Sequence, residues 1–251
     1  MRVSRFFIDA PLSPDQHLTL PPHLINYIVN VLRLKTGDKI VLFNGQPLAH
    51  NEQKGEFTAS ITEVTKRNTV VHIESFTARD TESPIQVHLF QGISRSERMD
   101  FTIQKAVELG VTHITPILTQ RSNSGKLNAR RLDKKMLHWQ GVAVSACEQS
   151  GRTTLVKVNE PVHIEKIEAF NADINLLLSP DAHSSISQLP DLAPTSVNIF
   201  IGPEGGLTNE EIEWASAHGY QQLKLGARIL RTETAGLAIL SILQFLWGDL
   251  G

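Results

Sequence analysis

Two short segments near the carboxyl end of the 251-residue chain combine glycine, hydroxyl and charged side chains. The first, residues 201–207, reads Ile-Gly-Pro-Glu-Gly-Gly-Leu and follows an apolar run that is typical of a buried strand. Its glycines, among them Gly202 and Gly206, would let the backbone approach a ligand closely. A tight strand-to-helix turn with positive φ angles also needs glycines, so both interpretations of this segment stay open.

The second segment, residues 226–235, follows the next predicted strand and opens an apolar helix. Two arginines, two hydroxyls and one carboxylate lie within it: Arg228, Arg231, Thr232, Glu233 and Thr234. An arginine can stabilise an anion that forms during a reaction, and a carboxylate can accept a proton. These residues also suit a helix start, with Thr232 as N-cap, Glu233 as a first-turn acid and the arginines as solvated charges. Two such segments after neighbouring strands favour a ligand site.

The elements that must position these segments alternate between strands and helices after residue 75. Apolar runs typical of strands buried on both faces of a mainly parallel sheet lie at 85–90, 114–118, 174–178, 197–201 and 223–225. Helices are expected over 100–109 and 128–148, from Thr208 to before Gly219, and from Thr232 to Trp247. Thr208 and Glu211 have the spacing of a capping box. Because ligands of open α/β sheets bind at the carboxyl ends of strands, both segments fall where a site is expected.

Residues 1–73 have a different pattern, with short strands and one helix. Strands are expected over 5–8, 39–43, 57–66 and 69–76, and a helix is expected from Pro21 and Pro22 to about Leu34. We therefore predict a small barrel-like β domain over residues 1–73 and an α/β domain over residues 74–251. The polar stretch 77–84, which ends in a proline, is the expected place of the domain boundary.

The composition is that of an ordinary globular chain, with 41% hydrophobic and 20% charged residues. It excludes a disordered, collagen-like or disulfide-rich protein. The one cysteine, Cys147, cannot form an internal disulfide, which fits a reducing compartment, so the cytoplasm is the expected location. No apolar stretch approaches the roughly 18 residues of a membrane-spanning helix, and the start lacks the apolar core of a signal peptide.

Several familiar catalytic motifs are incomplete in this chain. The segment 92–96 begins like the nucleophile elbow of a serine hydrolase but lacks its final glycine. No G-x-G-x-x-G motif follows a strand, which disfavours a nicotinamide or flavin site, and the Gly-Lys pair at 125–126 lacks the rest of a P-loop. Ten histidines without paired spacing and a single cysteine offer no zinc site, so no metal is expected.

Basic side chains form two local clusters, although 24 Lys and Arg against 26 Asp and Glu give a formal net charge of −2. Local clusters of cations, more than net charge, govern affinity for nucleic-acid phosphates. The first cluster surrounds the start of the long helix and contains Arg121, Lys126, Arg130 and Arg131. A solvated helix face is the alternative explanation for it. The second cluster lies on the β domain and contains Arg2, Arg5, Arg33 and Lys35.

The paired segments 201–207 and 225–235 resemble the signature of the RsmE family, within the SPOUT (knotted) methyltransferases. Three further stretches are similar to that family: SRSERMDFTIQKAVELGV at 94–111, ACEQSGR at 146–152, and VLR with GD within 31–38. Arg98 stands where many relatives have lysine, which keeps the charge. The resemblance covers nearly the whole chain.

The resemblance implies a PUA-like β-barrel joined to an α/β domain with a trefoil knot. It implies an enzyme that transfers a methyl group from S-adenosyl-L-methionine (SAM) to N3 of one uridine in 16S ribosomal RNA of the small ribosomal subunit, working as a homodimer. The apolar last helix is a candidate for the subunit interface, although burial inside the protomer would explain it equally well. By motif position, the expected SAM-binding residues are Leu178, Ser179, Gly202, Glu204, Gly206, Leu225, Leu230, Thr232 and Thr234.

The implied reaction needs a cation beside the uracil and an acceptor for its N3 proton. Forming the imide anion near neutral pH costs roughly 3 to 4 kcal/mol, at about 1.36 kcal/mol per pKa unit. Arg231 is the first candidate for the stabilising cation and Arg228 is the second. Glu233 or Glu204 could accept the proton, but helix capping by Glu233 and loop shaping by Glu204 are the alternatives.

Three other functions stay open on the sequence. A knotted methyltransferase could act on a ribose 2′-hydroxyl or on guanine in transfer RNA, although the paired signature and the β domain argue against this. An RNA-binding assembly factor could retain the fold without turnover. A small-molecule α/β enzyme is the third alternative, and it would have negligible affinity for RNA.

Overall fold

The computed structural model describes residues 3–48, 53–65, 67–122, 129–167 and 172–251. The chain forms two compact units, Met1–Glu82 with Cys147–Leu155, and Ser83–Ala146 with Val156–Gly251. The predicted boundary between residues 73 and 74 falls inside a strand, which runs from Thr69 to Ala78. The units divide after Glu82, within the polar stretch 77–84 where the boundary was expected, and residues 147–155 join the first unit, which no local pattern predicted.

Among its described residues, the first unit contains five strands, one short α-helix and the last turn, 147–150, of a longer one. The strands are β1 (Arg5–Phe7), β2 (His17–Thr19), β3 (Lys39–Phe43), β4 (Gly55–Val64) and β5 (Thr69–Ala78). They form one sheet in the order β1-β3-β4-β5-β2, in which β1 and β3 are parallel and the other neighbours antiparallel. β2 was not predicted. The helix α1 (Pro22–Asn26) ends earlier than predicted and continues as a π-helical turn, Tyr27–Val31.

Alternation along the two long strands builds the core of the first unit. β4 buries Phe57, Ala59 and Ile61, and β5 buries Val71 and Ile73. The residues between them point to the other face of the sheet, as the period of two in a strand requires. Each large apolar side chain buried in this way stabilises the fold by about 1.5–3 kcal/mol.

Among its described residues, the second unit contains seven strands and four α-helices, and the last turn of the second of these helices belongs to the first unit. The strands are β6 (Gln86–Gly92), β7 (His113–Leu118), β8 (Lys157–Val158), β9 (Val162–His163), β10 (Ile174–Leu178), β11 (Ser196–Ile201) and β12 (Gln221–Leu223). The helices are α2 (Ser96–Glu108), α3 (Ala129–Ser150), α4 (Asn209–Ala217) and α5 (Thr232–Trp247). The strand order is β12-β10-β11-β6-β7-β8, with β9 also beside β7, and all these pairs are parallel. The carboxyl ends of the strands therefore share one edge of the sheet.

Local sequence patterns fix several of these bounds. β10 has its predicted range, and α5 begins at Thr232 and ends at Trp247 as predicted. The capping box of α4 is confirmed, because the Thr208 hydroxyl accepts the Glu211 N–H at 3.3 Å and the Glu211 carboxylate accepts the Thr208 N–H at 2.9 Å. Within the described ranges, no helix is both long and apolar enough to cross a lipid bilayer.

Candidate functional site

A cavity of about 510 Å³ opens at the carboxyl ends of β10, β11 and β12. Pockets of roughly 300–1,000 Å³ are typical of small-molecule sites. Every residue predicted to bind SAM lines this cavity except Thr234, which is exposed on the first turn of α5. The lining members of that group are Leu178, Ser179, Gly202, Glu204, Gly206, Leu225, Leu230 and Thr232. The two segments singled out in the sequence thus meet at one site.

The loop after β11 makes close backbone contacts that require glycine at particular positions. Gly206 and Gly226 have φ angles of 71° and 76°, in the left-handed region that glycine adopts readily. Gly92, at the end of β6, lies so close to the loop that an added Cβ would be 2.4 Å from the backbone nitrogen of Pro203. The predicted positive φ is confirmed at Gly206, and the same turn lines the cavity.

The side chain of Thr232 ties the start of α5 to this loop. Its hydroxyl donates to the carbonyl oxygen of Gly202 at 2.7 Å and accepts from the Gln91 amide at 2.9 Å. Gln91 is fully buried in β6. The N-cap of α5 is Arg231, which makes no side-chain cap, so the interpretation of Thr232 as N-cap is wrong. Thr232 joins the two segments that line the cavity.

A cluster of charges lies at one side of the cavity, where α2 begins. Glu204 accepts the backbone N–H of Arg95 at 3.3 Å and pairs with the Arg98 guanidinium at 3.2 Å. Glu233 also faces Arg98, with 3.8 Å between its carboxylate oxygen and Nε of the arginine. Glu233 is half-buried and, unlike Glu204 and Arg98, does not line the cavity. Both carboxylates considered as proton acceptors therefore contact the same arginine.

Arg228 and Arg231 line the cavity with exposed side chains. Among the residues that the structure describes, no carboxylate lies within the 4.0 Å of an ion pair from either guanidinium. Cations without a carboxylate partner remain available to an anionic ligand. This arrangement fits the expectation that one of them faces a developing negative charge.

The basic cluster near α3 separates into two parts in the structure. Arg130 and Arg131 are exposed on the first turn of α3, whereas Lys126 lies outside the described residues. Arg121 was predicted to bind RNA, but its guanidinium donates to the carbonyl oxygens of Gly205 at 3.3 Å and Leu207 at 3.2 Å. These contacts engage one nitrogen of an exposed guanidinium with the cavity loop, so binding of RNA by Arg121 stays a prediction.

The basic cluster of the β domain requires one correction. Arg33 and Lys35 are exposed, and Arg2 lies outside the described residues. Arg5 was predicted to bind RNA, but its side chain is only 8% exposed because it pairs with Glu56 and donates to the carbonyl oxygen of Arg152 at 3.0 Å. An arginine buried in an ion pair holds its own unit together and does not reach a phosphate.

Sequence reasoning missed several side chains at the site. Asp181 and Lys224 line the cavity just after β10 and β12, and their position after strand ends is the signal that could have found them. Arg98 and Gln91 carry no such signal, because their partners are more than 100 residues away in the chain. In the described part of the chain, no group of three or more His, Cys, Asp or Glu side chains could hold a metal ion.

The chain is similar to known RNA methyltransferases. Residues 81–244 match the model of an RNA methyltransferase domain, and residues 20–46 match that of an RNA methyltransferase PUA domain. The chain is 35% identical over 252 residues to ribosomal RNA small subunit methyltransferase E of Buchnera aphidicola subsp. Schizaphis graminum, covering 99% of this chain and 98% of that protein. It is 30% identical to the Bacillus subtilis protein of the same name, covering 88% and 87%.

Two solved structures are similar over their whole length. One is a protein from Legionella pneumophila in complex with the bound cofactor SAM, at 38% identity and a TM-score of 0.93, with full coverage of both chains. The other is a ribosomal RNA small subunit methyltransferase E from Neisseria gonorrhoeae bound to SAM, at 35% identity and a TM-score of 0.87, again with full coverage.

The predicted fold class is confirmed by these similarities. The second unit is an α/β domain of the knotted SPOUT class, and the amino-terminal part is a PUA-like β-barrel domain. The family model spans most of the chain, and the similarity to full-length relatives reaches both ends. The chain belongs to the ribosomal RNA small subunit methyltransferase E (RsmE) family.

Proposed function

We propose that this chain uses the cavity at the ends of β10, β11 and β12 to transfer a methyl group from SAM to N3 of one uridine in 16S ribosomal RNA. The chain is a SAM-dependent methyltransferase of small-subunit ribosomal RNA. The observation that carries the assignment to this cavity is the meeting of both signature segments around one space, with two arginines that have no carboxylate partner among the described residues.

The size of the cavity and the chemistry of its lining residues support SAM as its ligand. Gly202 and Gly206 leave backbone groups of the loop open to the cavity, and Leu178, Leu225 and Leu230 give apolar lining for a flat base. Ser179, Glu204 and Thr232 add polar groups among the lining residues. Thr234, the remaining residue predicted to bind SAM, is exposed on the first turn of α5 and does not line the cavity. When bound, SAM supplies an electrophilic methyl group, so the protein needs no metal for this reaction.

The task of the protein is to align the uracil and to stabilise its anion. Positioning of two reactants is worth several kcal/mol of activation free energy. Arg231, which lines the cavity with an exposed guanidinium, is the proposed cation beside the uracil oxygens, and Arg228 is the second candidate. Glu204 and Glu233 are the candidate acceptors of the N3 proton within the protein, and solvent water is the alternative.

The exposed basic residues provide the contacts for folded RNA. Arg130 and Arg131 lie at the start of α3, and Arg33 and Lys35 are exposed on the β domain. Such residues bind phosphates and position the substrate without reading its sequence. The partner is 16S ribosomal RNA, free or within the assembled small subunit, and the location is the cytoplasm.

The last helix is the proposed interface of a homodimer. Its inner face carries three fully buried side chains, Ile239, Leu240 and Leu243, which explain part of the apolar character of the helix. Its other side leaves Phe245 65% exposed, together with the exposed Leu246. Large apolar side chains exposed next to each other mark a surface that another chain covers.

Analysis of ribosomal nucleosides tests the proposed function. A strain without this gene should lack N3-methyluridine in 16S ribosomal RNA, and the intact gene should restore it. The variant Arg231→Ala should slow methylation by about 100- to 1,000-fold, because a preorganised donor to a developing anion is lost. Arg231→Lys keeps the charge and serves as its matched control.

The other functions that the sequence leaves open predict different results. Loss of a 2′-O-methyl nucleoside in place of N3-methyluridine would assign the chain to ribose methylation. Absence of measurable SAM binding in calorimetry would identify an assembly factor without turnover. Negligible affinity for RNA at low salt would identify a small-molecule enzyme.

A further inference from the structure

Arg98 stands between the two segments that form the cavity. It lies in the first turn of α2, lines the cavity, and has a side chain that is 35% exposed. Its guanidinium is 3.2 Å from a carboxylate oxygen of Glu204, in the loop after β11, and 3.8 Å from one of Glu233, in the first turn of α5. The Arg98 guanidinium therefore contacts one carboxylate from the loop after β11 and one from the start of α5.

Glu204 has both of its carboxylate oxygens engaged. Oε1 accepts the Arg95 N–H at 3.3 Å and faces Arg98, while Oε2 is 3.7 Å from Nε of Arg95. The side chain is 17% exposed. A carboxylate with these contacts is directed towards the start of α2, which fits the shaping of the loop better than the acceptance of a proton from substrate.

Glu233 is held in a different way and, unlike Glu204, lies outside the lining of the cavity. Its side chain is 12% exposed, and it does not line the cavity. The oxygen Oε2 is buried and has no hydrogen-bond partner among the described residues. A base must come within hydrogen-bond reach of the proton that it removes. Arg98 is the charged group that this carboxylate faces.

We propose that Arg98 is a positioning residue that joins the cavity loop to the start of α5 through Glu204 and Glu233, and that both carboxylates serve to hold Arg98. This inference rests on the proposed function, since it concerns the same cavity. It assigns the N3 proton to solvent. The two residues before Glu233 line the cavity: they are Arg231 and Thr232. The link through Arg98 therefore sets the position of both.

Removal of the positive charge of Arg98 should weaken SAM binding more than removal of the charge of either carboxylate. Without Arg98, the largely buried Glu233 carboxylate would lose its one ion-pair partner among the described residues, and an unpaired buried charge is costly. Lysine keeps the charge but presents one compact ammonium group where arginine has separate Nε and Nη donors. The variant Arg98→Lys should therefore retain most of the function that Arg98→Met loses.

The test uses the full-length protein, calorimetry with SAM, and single-turnover methylation of small subunits from a strain lacking the gene. Arg98→Met should weaken SAM binding by about 10- to 100-fold, and Arg98→Lys by less than about fivefold. Glu204→Gln and Glu233→Gln should weaken SAM binding, yet at saturating SAM they should keep the wild-type dependence of rate on pH. Lys105→Met is the matched control on α2, because Lys105 pairs only with Glu108 among the described residues.

Two results would overturn the inference. The first is an Arg98→Met protein that is folded in thermal unfolding and binds SAM within about twofold of wild type. The second is a Glu204→Gln or Glu233→Gln protein that loses its rate at saturating SAM by about 100-fold and no longer shows the acid limb of the pH profile, since a general base gives that signature. If Arg98→Met does not fold, the glutamine variants and Arg98→Lys decide by the same measurements. Failure of the proposed function would appear separately, as a wild-type protein that makes no N3-methyluridine.

Discussion

The two ends of the parallel sheet in the second unit carry polar side chains in contrasting ways. At the carboxyl ends of the strands, charged and hydroxyl groups surround an open cavity of about 510 Å³. Nearer the amino ends, a row of polar residues crosses four neighbouring strands in register: Asn175, Asn198, His88 and His113. Asn198 and His88 are buried. The same strands thus present one open polar edge and one closed polar row.

The closed row satisfies its polar groups within the protein. Nε2 of His88 lies 2.7 Å from the Thr115 hydroxyl, which also accepts from the Asn159 amide at 2.9 Å. The side-chain amide of Asn198 donates to the side-chain oxygen Oδ1 of Asn175 at 2.7 Å. Burial, assisted by the charge of His113, lowers the pKa of His88 to about 3, so its imidazole is neutral at physiological pH.

The difference between the two ends shows what marks a site on this fold. Buried polar groups that pair with each other stabilise one structure and offer little to a ligand. At the other end, glycines replace side chains, and the arginines Arg228 and Arg231 have no carboxylate partner among the described residues. Open backbone and unpaired charge, rather than polarity alone, distinguish the functional edge.

The largest effect should come from a substitution that places an added side-chain atom against the backbone of the cavity loop. In Gly92→Ala, the new Cβ would lie 2.4 Å from the Pro203 nitrogen and 2.8 Å from the Gly202 carbonyl carbon, so the loop must move. We expect a loss of about 3 kcal/mol in the free energy of unfolding and at least a 100-fold weaker affinity for SAM. Chemical denaturation and calorimetry measure the two effects.

Gly141→Ala is the matched control for that substitution. Gly141 lies within α3 and has no atom within 4 Å of an added Cβ. Alanine there should raise the free energy of unfolding by up to about 1 kcal/mol, because glycine is a poor helix former. If Gly92→Ala behaved like this control, the close contact between β6 and the cavity loop would not exist.

Particular elements of the fold and of the site show how much of the structure could be predicted from the sequence. The capping box at Thr208 and the start of α5 at Thr232 depend on neighbours within one turn, and the sequence placed both correctly. The glycine-containing segments were found because strand ends concentrate ligand contacts in this fold class. The roles assigned to individual site residues remain predictions.

Contacts between distant residues could not be predicted from local patterns. Arg5 is buried because Glu56, 51 residues away, pairs with it, and Thr232 is held by Gln91, 141 residues away. The short strand β2 exists through its pairing with β5 rather than through its own composition. The knot is likewise a property of the whole chain, and general rules of chain topology disfavour it. The knot was expected because the chain resembles a family of knotted proteins, and no residue pattern predicted it.

An intermediate effect should follow from acid titration of the closed row. The folded state keeps His88 neutral, with a pKa of about 3, whereas the unfolded state binds a proton near the ordinary value of 6.5. The unfolded state therefore gains protons first as pH falls, and stability decreases from about pH 6.5 towards pH 3. Between pH 6.5 and pH 5 the loss due to this group should be about 2 kcal/mol.

Chemical denaturation of His88→Gln at these two pH values measures that contribution. The variant should show a smaller change in unfolding free energy between pH 6.5 and pH 5 than the wild type, while SAM binding at neutral pH stays close to normal. His183→Gln, which changes an exposed histidine, should keep the wild-type slope. An unchanged slope in His88→Gln would mean that this imidazole is not held neutral by the fold.

The smallest effect concerns Arg121, which tests whether an exposed arginine belongs to the open edge or to the RNA surface. Its guanidinium donates to the carbonyl oxygens of Gly205 and Leu207 at 3.3 and 3.2 Å. An added Cβ on Gly205 would lie 3.0 Å from the Cβ of Arg121, so the two residues pack together. The neighbouring Gln120 N–H donates to the Glu211 carboxylate at 2.7 Å, which fixes the same segment to α4. These contacts indicate support of the cavity loop.

In Arg121→Gln we expect SAM to bind about 3- to 10-fold more weakly, because hydrogen bonds from a charged donor to the loop carbonyls are each worth about 1.5–3 kcal/mol at most and the site is exposed. Affinity for ribosomal RNA should change little. Arg130→Gln, on the first turn of α3, should give the reverse result, with a weaker and less salt-dependent RNA affinity and normal SAM binding. If Arg121→Gln instead weakened RNA binding and left SAM binding intact, Arg121 would belong to the RNA surface, and the open edge would end at the loop itself.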